Sequence, residues 1–170
     1  MCRIDRGTWH MIDEVDLVGM VSDHADLERL CDRLENIADA LPHRPTEGAA
    51  LRLSSELGYL PLGYEDRACA LFDRLLGGRP CLPAQTATLG YIRRRIGALA
   101  VQAQDLAAAF AADAAVPPPG LLGYMLRCFF QGCRADMAFE HLAILQFAGS
   151  RLTPNARTLL ELSLEARCES

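Results

Sequence analysis

Apolar residues recur at intervals of three and four along most of the chain, the spacing that places side chains on one face of a helix. The first such segment runs from Asp16 to Leu41. Its regularly spaced face carries Leu17, Met20, His24, Leu27, Cys31, Leu34, Ala38 and Leu41. A face of this kind is expected to pack into the core of a helical bundle.

Glycine and proline interrupt the pattern in the next part of the chain. A short second helix is predicted from Glu47 to Leu57, with Thr46 in the position of an N-cap. The stretch from residue 58 to residue 63 contains two glycines and a proline and therefore predicts a break. A third helix is predicted to begin at Tyr64 and to end at the glycine pair 77–78.

Two further long helices and a closing helix are predicted in the second half of the chain. The first runs from Pro83 to Ala115, and the proline-rich run 116–120 that follows predicts a stiff hinge. The regularly spaced face of this helix carries Leu89, Ile92, Ile96, Leu99, Ala103, Leu106 and Phe110. The second presents on one face Leu122, Met125, Phe129, Cys133, Asp136, Glu140, Ala143 and Phe147. Thr153 is predicted to cap a last helix that ends near Arg167.

These segments together predict an all-α protein, an antiparallel up-down four-helix bundle with one or two short extra helices. The dominance of alanine and leucine over β-branched residues supports a helical fold. Residues 1–15 are predicted to form an N-terminal arm, and residues 16–168 a single bundle domain.

Composition and charge narrow the function classes. The chain has 17 Lys and Arg against 22 Asp and Glu, a net charge of -5, which argues against a nucleic-acid binder. No apolar stretch reaches the roughly 20 residues that cross a bilayer, and the first residues lack the apolar region of a signal peptide. We therefore expect a cytoplasmic protein without membrane contacts. The seven cysteines are scattered and odd in number, which predicts thiols that mostly behave as small buried hydrophobes.

Polar residues occupy some positions of the apolar faces. His24, Asp136 and Glu140 lie on helix faces that otherwise carry leucine, methionine, phenylalanine and cysteine. Glu65 lies on a face with Cys69, Phe72 and Leu76. A buried carboxylate needs a hydrogen-bond partner or a cation, because an unpaired buried charge costs several kcal/mol. Residues four apart lie above one another on a helix, so Asp136 and Glu140 could converge on one ion.

Two segments carry a resemblance to a known family. The segment from Asp23 to Leu30, D-H-A-D-L-E-R-L, resembles the first-helix signature of hemerythrin-like HHE domains, whose histidine is an iron ligand. The segment from Asp136 to Glu140, together with the later L-T-P turn and closing helix, is similar to the end of the same family. The resemblance spans most of residues 16–168. It implies that Asp136 stands at a histidine position and Glu140 at the position of the bridging glutamate.

The middle of the chain departs from the family pattern. The segment around Glu65 resembles the second helix of the family, but Pro61 stands at its histidine position. The segment Arg93 to Leu99 resembles the third helix, with Ile96 in place of a histidine. The resemblance therefore implies a degenerate metal site, left with His24, Glu65, Asp136 and Glu140. One imidazole and three carboxylates would suit iron, manganese or zinc.

The sequence leaves several functions open. The first is a non-catalytic binding, sensory or regulatory protein without cofactor, in which His24 hydrogen-bonds a seam carboxylate and a protein partner or small apolar ligand is bound. The second is an iron- or manganese-dependent redox or oxygen- or nitric-oxide-responsive protein. The third is histidine phosphotransfer through an exposed His141 or His24. His141 is expected to point about 100° away from the Asp136 and Glu140 row.

Two further groups of residues stand out in the sequence, one basic and one apolar. The three consecutive arginines 93–95 are predicted to form a solvated face that pairs with Asp105 or with acidic residues of the first helix.

A cluster of large apolar residues is interpreted as part of the core. An apolar ligand pocket or a homodimer face stays open as an alternative. The members of the cluster are Tyr124, Met125, Phe129, Phe130 and Met137.

Overall fold

A computed structural model describes residues 11–76, 83–111 and 117–168 of the chain. Within these ranges the chain is helical and contains no β-strand, which confirms the all-α prediction. No helix in the described ranges is long and apolar enough to cross a membrane. The α-helices are α1 (Glu14–Ala40), α2 (Glu47–Leu76), α3 (Pro83–Ala109), α4 (Pro119–Ala148) and α5 (Pro154–Cys168), with a short 3-10 helix at Gly149–Arg151 between α4 and α5.

Apolar faces of the four long helices meet in one core. The predicted face of α1 is buried from Leu17 to Ala38, and that of α3 is buried from Leu89 to Phe110. α1 packs closely on α4, α4 on α3 and α3 on α2, whereas α1 and α2 make far fewer close contacts with each other. The side of the core between α1 and α2 is therefore its least tightly closed side.

The predicted break in the second segment is wrong. α2 is a single helix from Glu47 to Leu76, with Pro61 in its interior. Proline removes one backbone hydrogen bond and crowds the preceding turn, a local cost of about 3 kcal/mol. The buried face nevertheless continues through the proline at helical spacing, as Leu53, Leu57, Pro61, Tyr64, Ala68, Phe72 and Leu75. Burial of this whole face against the core outweighs the local penalty.

Backbone hydrogen bonds join the beginning of the described chain to the connection between α4 and α5. The N–H of Ile12 donates to the carbonyl of Arg151 at 2.8 Å, and the N–H of Thr153 donates to the carbonyl of Ile12 at 2.9 Å. Ile12 is fully buried, so part of the predicted N-terminal arm belongs to the core. Asp13 then caps α1 through its side chain, in a capping box with Asp16.

The cap at the beginning of the last helix agrees with the prediction. The side chain of Thr153 accepts a hydrogen bond from the N–H of Ala156 at 3.2 Å, and α5 begins at Pro154. α3 ends at Ala109, earlier than the predicted Ala115, and residues 112–116 lie outside the described ranges.

The apolar cluster of α4 is only partly buried. Phe129 and Phe130 are buried as predicted, but Tyr124 is 68% exposed.

Arg134 of α4 joins this helix to α1. Its guanidinium donates to Glu28 at 2.6 Å, to Asp32 at 2.7 Å and to Glu35 at 2.7 Å. Its guanidinium carbon also lies 5.4 Å from the centre of the Phe130 ring. Burial lowers the pKa of Arg134, but the three carboxylates together raise it by more than burial lowers it. The pKa of Arg134 is therefore above its usual value, and the side chain keeps its charge.

Candidate functional site

A buried polar cluster lies where α1, α2 and α4 meet. The Nε2 atom of His24 lies 2.9 Å from the hydroxyl of Tyr64 and 3.0 Å from Oε2 of Glu140. The Tyr64 hydroxyl also donates a hydrogen bond to Oε2 of Glu140. All three side chains are almost completely buried. The hydrogen bond from His24 to a seam carboxylate, expected for a metal-free bundle, is therefore present.

The hydrogen-bond donors of this triad can be named for the case in which Glu140 is ionised. An ionised carboxylate only accepts hydrogen bonds, so with Glu140 ionised both the Tyr64 hydroxyl and the Nε2–H of His24 donate towards it. Burial, then the charge of Glu140 and its hydrogen bond, raise the pKa of the Tyr64 phenol well above its usual value. The phenol therefore remains a donor, and it partly satisfies a carboxylate that has no access to water.

Tyr64 was not identified from the sequence as a site residue. The sequence pattern predicts Tyr64 as the beginning of a new helix, whereas it lies on the continuous buried face of α2. A signal was available, since a buried tyrosine usually places its hydroxyl against a hydrogen-bond partner. His24 and Glu140 were the polar residues predicted to face the same core.

His141 lies on the other side of His24. Its ring centre is 4.8 Å from that of His24, with 48° between the ring planes, and the residue is fully buried. α4 contacts α1, α3 and α5, so a wide arc of its surface is covered and a residue 100° from Glu140 is also buried. The phosphotransfer alternative would require an exposed His141, and the burial of this residue does not support it. His24 is equally buried, so neither histidine offers the exposed imidazole that phosphotransfer requires.

Asp136 and Glu65 lie in environments that differ from that of Glu140. Asp136 accepts a hydrogen bond from Nε of Arg95 on α3 at 2.8 Å. This hydrogen bond raises the pKa of Arg95, against the smaller opposing effect of burial. The Oε1 atom of Glu65 lies against α3, 3.5 Å from the position that a Cβ on Gly97 would occupy.

Two arginines of the triplet pair with residues other than those predicted. Arg95 binds Asp136 of α4, and Arg93 forms an ion pair with Asp73 of α2. Asp105 and the acidic residues of α1 were the expected partners. Spacing along α3 shows which arginines share a face, but the neighbouring helices determine the partner.

The predicted four-ligand metal set is not brought together. His24 and Glu140 meet, Asp136 is held by Arg95, and Glu65 faces α3. Across residues 11–76, 83–111 and 117–168, no group of three or more His, Cys, Asp or Glu residues is arranged to hold a metal ion. The side chains in this arrangement do not fit a metal centre made by all four residues. Metal binding stays an alternative that elemental analysis can decide.

Two cysteines lie on the core faces of α1 and α4, one heptad from the triad. Cys31 and Cys133 are fully buried, as predicted for thiols that act as small hydrophobes. A hydrogen bond to Cys31, with burial and nearby charges, raises the pKa of the Cys133 thiol well above its usual value. Cys128, in contrast, is exposed.

A groove of about 280 Å³ opens on the loosely packed side, between α1 and α2. Tyr64 forms part of its wall, so the same side chain contacts the groove and hydrogen-bonds the buried triad. The remaining walls come from both helices: Asp16, Gly19, Met20 and Asp23 of α1, and Arg67, Ala68, Ala70, Leu71 and Arg74 of α2.

Two ion pairs flank this groove. Arg67 binds both carboxylate oxygens of Asp23, at 2.8 Å through Nε and 2.7 Å through Nη2. Arg74 lies 3.5 Å from Asp16. The two aspartates are 16% and 17% exposed, whereas the arginines are 56% and 58% exposed. The guanidinium groups therefore lie at the mouth, and the carboxylates lie deeper in the wall.

Comparisons with protein-family models, with curated proteins and with solved structures find no match to this chain.

Proposed function

We propose that the chain is a non-catalytic cytosolic binding or sensory protein that takes a small apolar ligand in the groove between α1 and α2. Its framework is an up-down, hemerythrin-like four-helix bundle with a degenerate metal site. The observation that carries the proposal is the position of Tyr64, which lines the groove and is hydrogen-bonded to Glu140 in the core.

The order of contacts between neighbouring helices supports the up-down arrangement. Asp16 and Asp23 of α1 pair with Arg74 and Arg67 of α2, so the chain directions of the two helices are opposed. α2 and α3 are opposed in the same way. Asp73 near the end of α2 contacts Arg93 of α3, and the hydroxyl of Ser54 near the start of α2 donates a hydrogen bond to the carbonyl of Ala107 near the end of α3.

The state of the buried triad supports a binding role over a catalytic one. Acid–base catalysis needs a side chain within hydrogen-bond reach of a substrate proton. His24, Tyr64 and Glu140 are instead buried and hydrogen-bonded to one another. Pro61 and Ile96, at the positions where the hemerythrin-like family has histidines, are buried and cannot ligate a metal.

Tyr64 also supplies a route by which occupancy could be sensed. A ligand in the groove would contact the Tyr64 ring and both walls, and it would favour one separation of α1 and α2. The Tyr64 hydroxyl joins α2 to His24 of α1 and Glu140 of α4, so a shift of α2 would change hydrogen bonds in the core. A ligand that binds one arrangement better shifts the population towards it.

Blocking the groove tests the proposal. Nothing lies within 4 Å of a Cβ built on Gly19, so Gly19→Leu would project into the groove without a local clash. Gly58, in the interior of α2 and outside the groove lining, is equally open and gives Gly58→Leu as a matched control. NMR titration with octanol, a neutral probe, should shift the resonances of Tyr64 and Ala68 in the wild type and in Gly58→Leu. Gly19→Leu should abolish these shifts.

Two results would contradict the proposed function. One is the absence of any shift at the groove residues with octanol and with charged octyl compounds alike. The other is binding that Gly19→Leu leaves unchanged, because the probe would then occupy another part of the molecule.

A further inference from the structure

We infer that the physiological ligand of the α1–α2 groove is a small amphipathic carboxylate, whose charged head binds Arg74 and whose apolar body lies along α2. This inference rests on the proposed function and names the chemical class of its ligand. It follows from the size of the groove, the composition of its floor and the unequal pairing of its two arginines.

The groove accepts a ligand somewhat larger than a single aromatic ring. Its volume of about 280 Å³ is roughly twice that of the ~150 Å³ cavity that accepts benzene in an engineered protein core. It lies just below the usual range for ligand pockets, about 300–1,000 Å³. A medium-chain aliphatic acid or a substituted aromatic acid is of suitable size.

The floor of the groove is apolar. Met20 of α1 and Ala68 and Leu71 of α2 line it together with the ring of Tyr64. Gly19 has no side chain that would fill the space above them. Apolar area removed from water contributes about 25 cal/mol per Å² to affinity before the cost of association, so an aliphatic or aromatic body suits this surface.

The two arginines at the mouth differ in how fully they are paired. Arg67 is bound through two nitrogens by both oxygens of Asp23. Arg74 uses Nη2 alone, for a 3.3 Å hydrogen bond to the backbone carbonyl of Asp16 and a 3.5 Å contact with its carboxylate. The carboxylate of Asp16 also accepts from the N–H of Asp13 in the capping box of α1.

Arg74 is therefore the better anchor for an incoming anion. A guanidinium group presents its N–H donors as a planar fork, which matches the two oxygens of a carboxylate. Its 58% exposure lets Arg74 be reached from solvent without displacing Asp16 from the capping box. The two aspartates lie deeper in the wall, so a ligand that enters from the mouth encounters positive charge first.

Three probes of equal chain length test the inference. Octanoate, octanol and octylammonium are titrated into the wild-type protein and followed by NMR at the groove residues. Octanoate should bind about tenfold more tightly than octanol, which corresponds to about 1.4 kcal/mol, the order of one charge-assisted hydrogen-bonded contact. Arg74→Gln should remove this preference and leave the binding of octanol unchanged. Arg29→Gln, a change of an exposed arginine outside the groove, should leave both affinities unchanged.

The outcomes separate the inference from the proposed function. Equal binding of octanoate and octanol, tighter binding of octylammonium, or an octanoate preference that survives Arg74→Gln would overturn the inference while the groove remained a binding site. Failure of all three probes would overturn the proposed function and the inference with it. Octanoate binding that survives Gly19→Leu would place the acid outside the groove and would also overturn the inference.

Discussion

The Nε2 atom of His24 lies 3.0 Å from Oε2 of Glu140, although the two residues are 116 positions apart in the chain. Both are buried, and both are hydrogen-bonded to the hydroxyl of Tyr64. Three helices thus contribute one polar group each to a point in an otherwise apolar core. Buried polar groups of this kind are costly when one partner is removed, which makes the triad open to mutational tests.

Removal of the Tyr64 hydroxyl should destabilise the protein. Tyr64→Phe keeps the ring and the packing but withdraws a donor from the buried carboxylate of Glu140. The expected loss is about 1–3 kcal/mol in the free energy of unfolding, measured by urea denaturation. Tyr59→Phe, on the exposed face of the same helix, should change this free energy by less than about 0.5 kcal/mol. Equal effects of the two changes would count against the triad as a stabilising network.

Stability should fall at alkaline pH through the same residue. The pKa of Tyr64 is raised well above its usual value in the folded protein, first by burial and then by Glu140. Above about pH 10 the unfolded chain releases this proton while the folded chain retains it. The free energy of unfolding is therefore unaffected by the ionisation of Tyr64 below that pH and decreases as the pH rises above it. The slope contributed by Tyr64 should approach about 1.4 kcal/mol per pH unit.

Urea denaturation of the wild type and Tyr64→Phe across this pH range measures that contribution. The buried Cys133, whose pKa is also raised, is present in both proteins and should contribute equally to both. The difference between the two slopes therefore belongs to Tyr64. Parallel curves would show that Tyr64 ionises in the folded state as easily as in the unfolded chain.

Arg134 should contribute more to stability than the neighbouring arginine on the same helix. Arg134→Met leaves Glu28, Asp32 and Glu35 of α1 facing one another without a cation. A loss of about 1–2 kcal/mol is expected, at the lower end for charge-assisted contacts because two of the carboxylates are largely exposed.

The matched control joins the same two helices one heptad away. Arg127 contacts Asp39 at 3.3 Å in an exposed pair, so Arg127→Met should cost less than about 0.5 kcal/mol. The destabilisation by Arg134→Met should also diminish in concentrated salt, which reduces the repulsion among the carboxylates. Indistinguishable effects of the two changes would refute the special role of Arg134.

The separation of the predicted ligands leads to an expectation about metal content. Protein purified without chelator should contain iron and manganese well below one equivalent, measured by elemental analysis, because Asp136 is held by Arg95 and Glu65 faces α3. Stoichiometric iron or manganese that disappears in the Asp136→Ala/Glu140→Ala double variant would contradict this expectation. Such a result would favour the metal-dependent redox or gas-responsive alternative.

Much of the helical structure could be predicted from local pattern. The three-and-four spacing of apolar residues identified the core faces of α1 and α3, and Thr153 identified the beginning of α5. The same spacing placed His24 and Glu140 on buried faces. Each of these features depends on residues within a few turns of one another, and such local periodicity is directly visible in a sequence.

Other features depend on distant parts of the chain. Pro61 is tolerated inside α2 because the core accepts the whole buried face of that helix, and His141 is buried because several helices cover α4. Asp136 and Glu140 are four residues apart, yet they bind partners on opposite neighbours of α4, Arg95 of α3 and His24 of α1.

The sequence by itself thus determined which residues of α1 and α3 face the core, since the helical repeat is a local property. Only the tertiary structure decided which of those residues meet, because the choice of partner depends on how separate helices pack. Tyr64 illustrates the difference. Its place on a helix follows from nearby residues, but its hydrogen bond to Glu140 depends on the packing of α2 against α4.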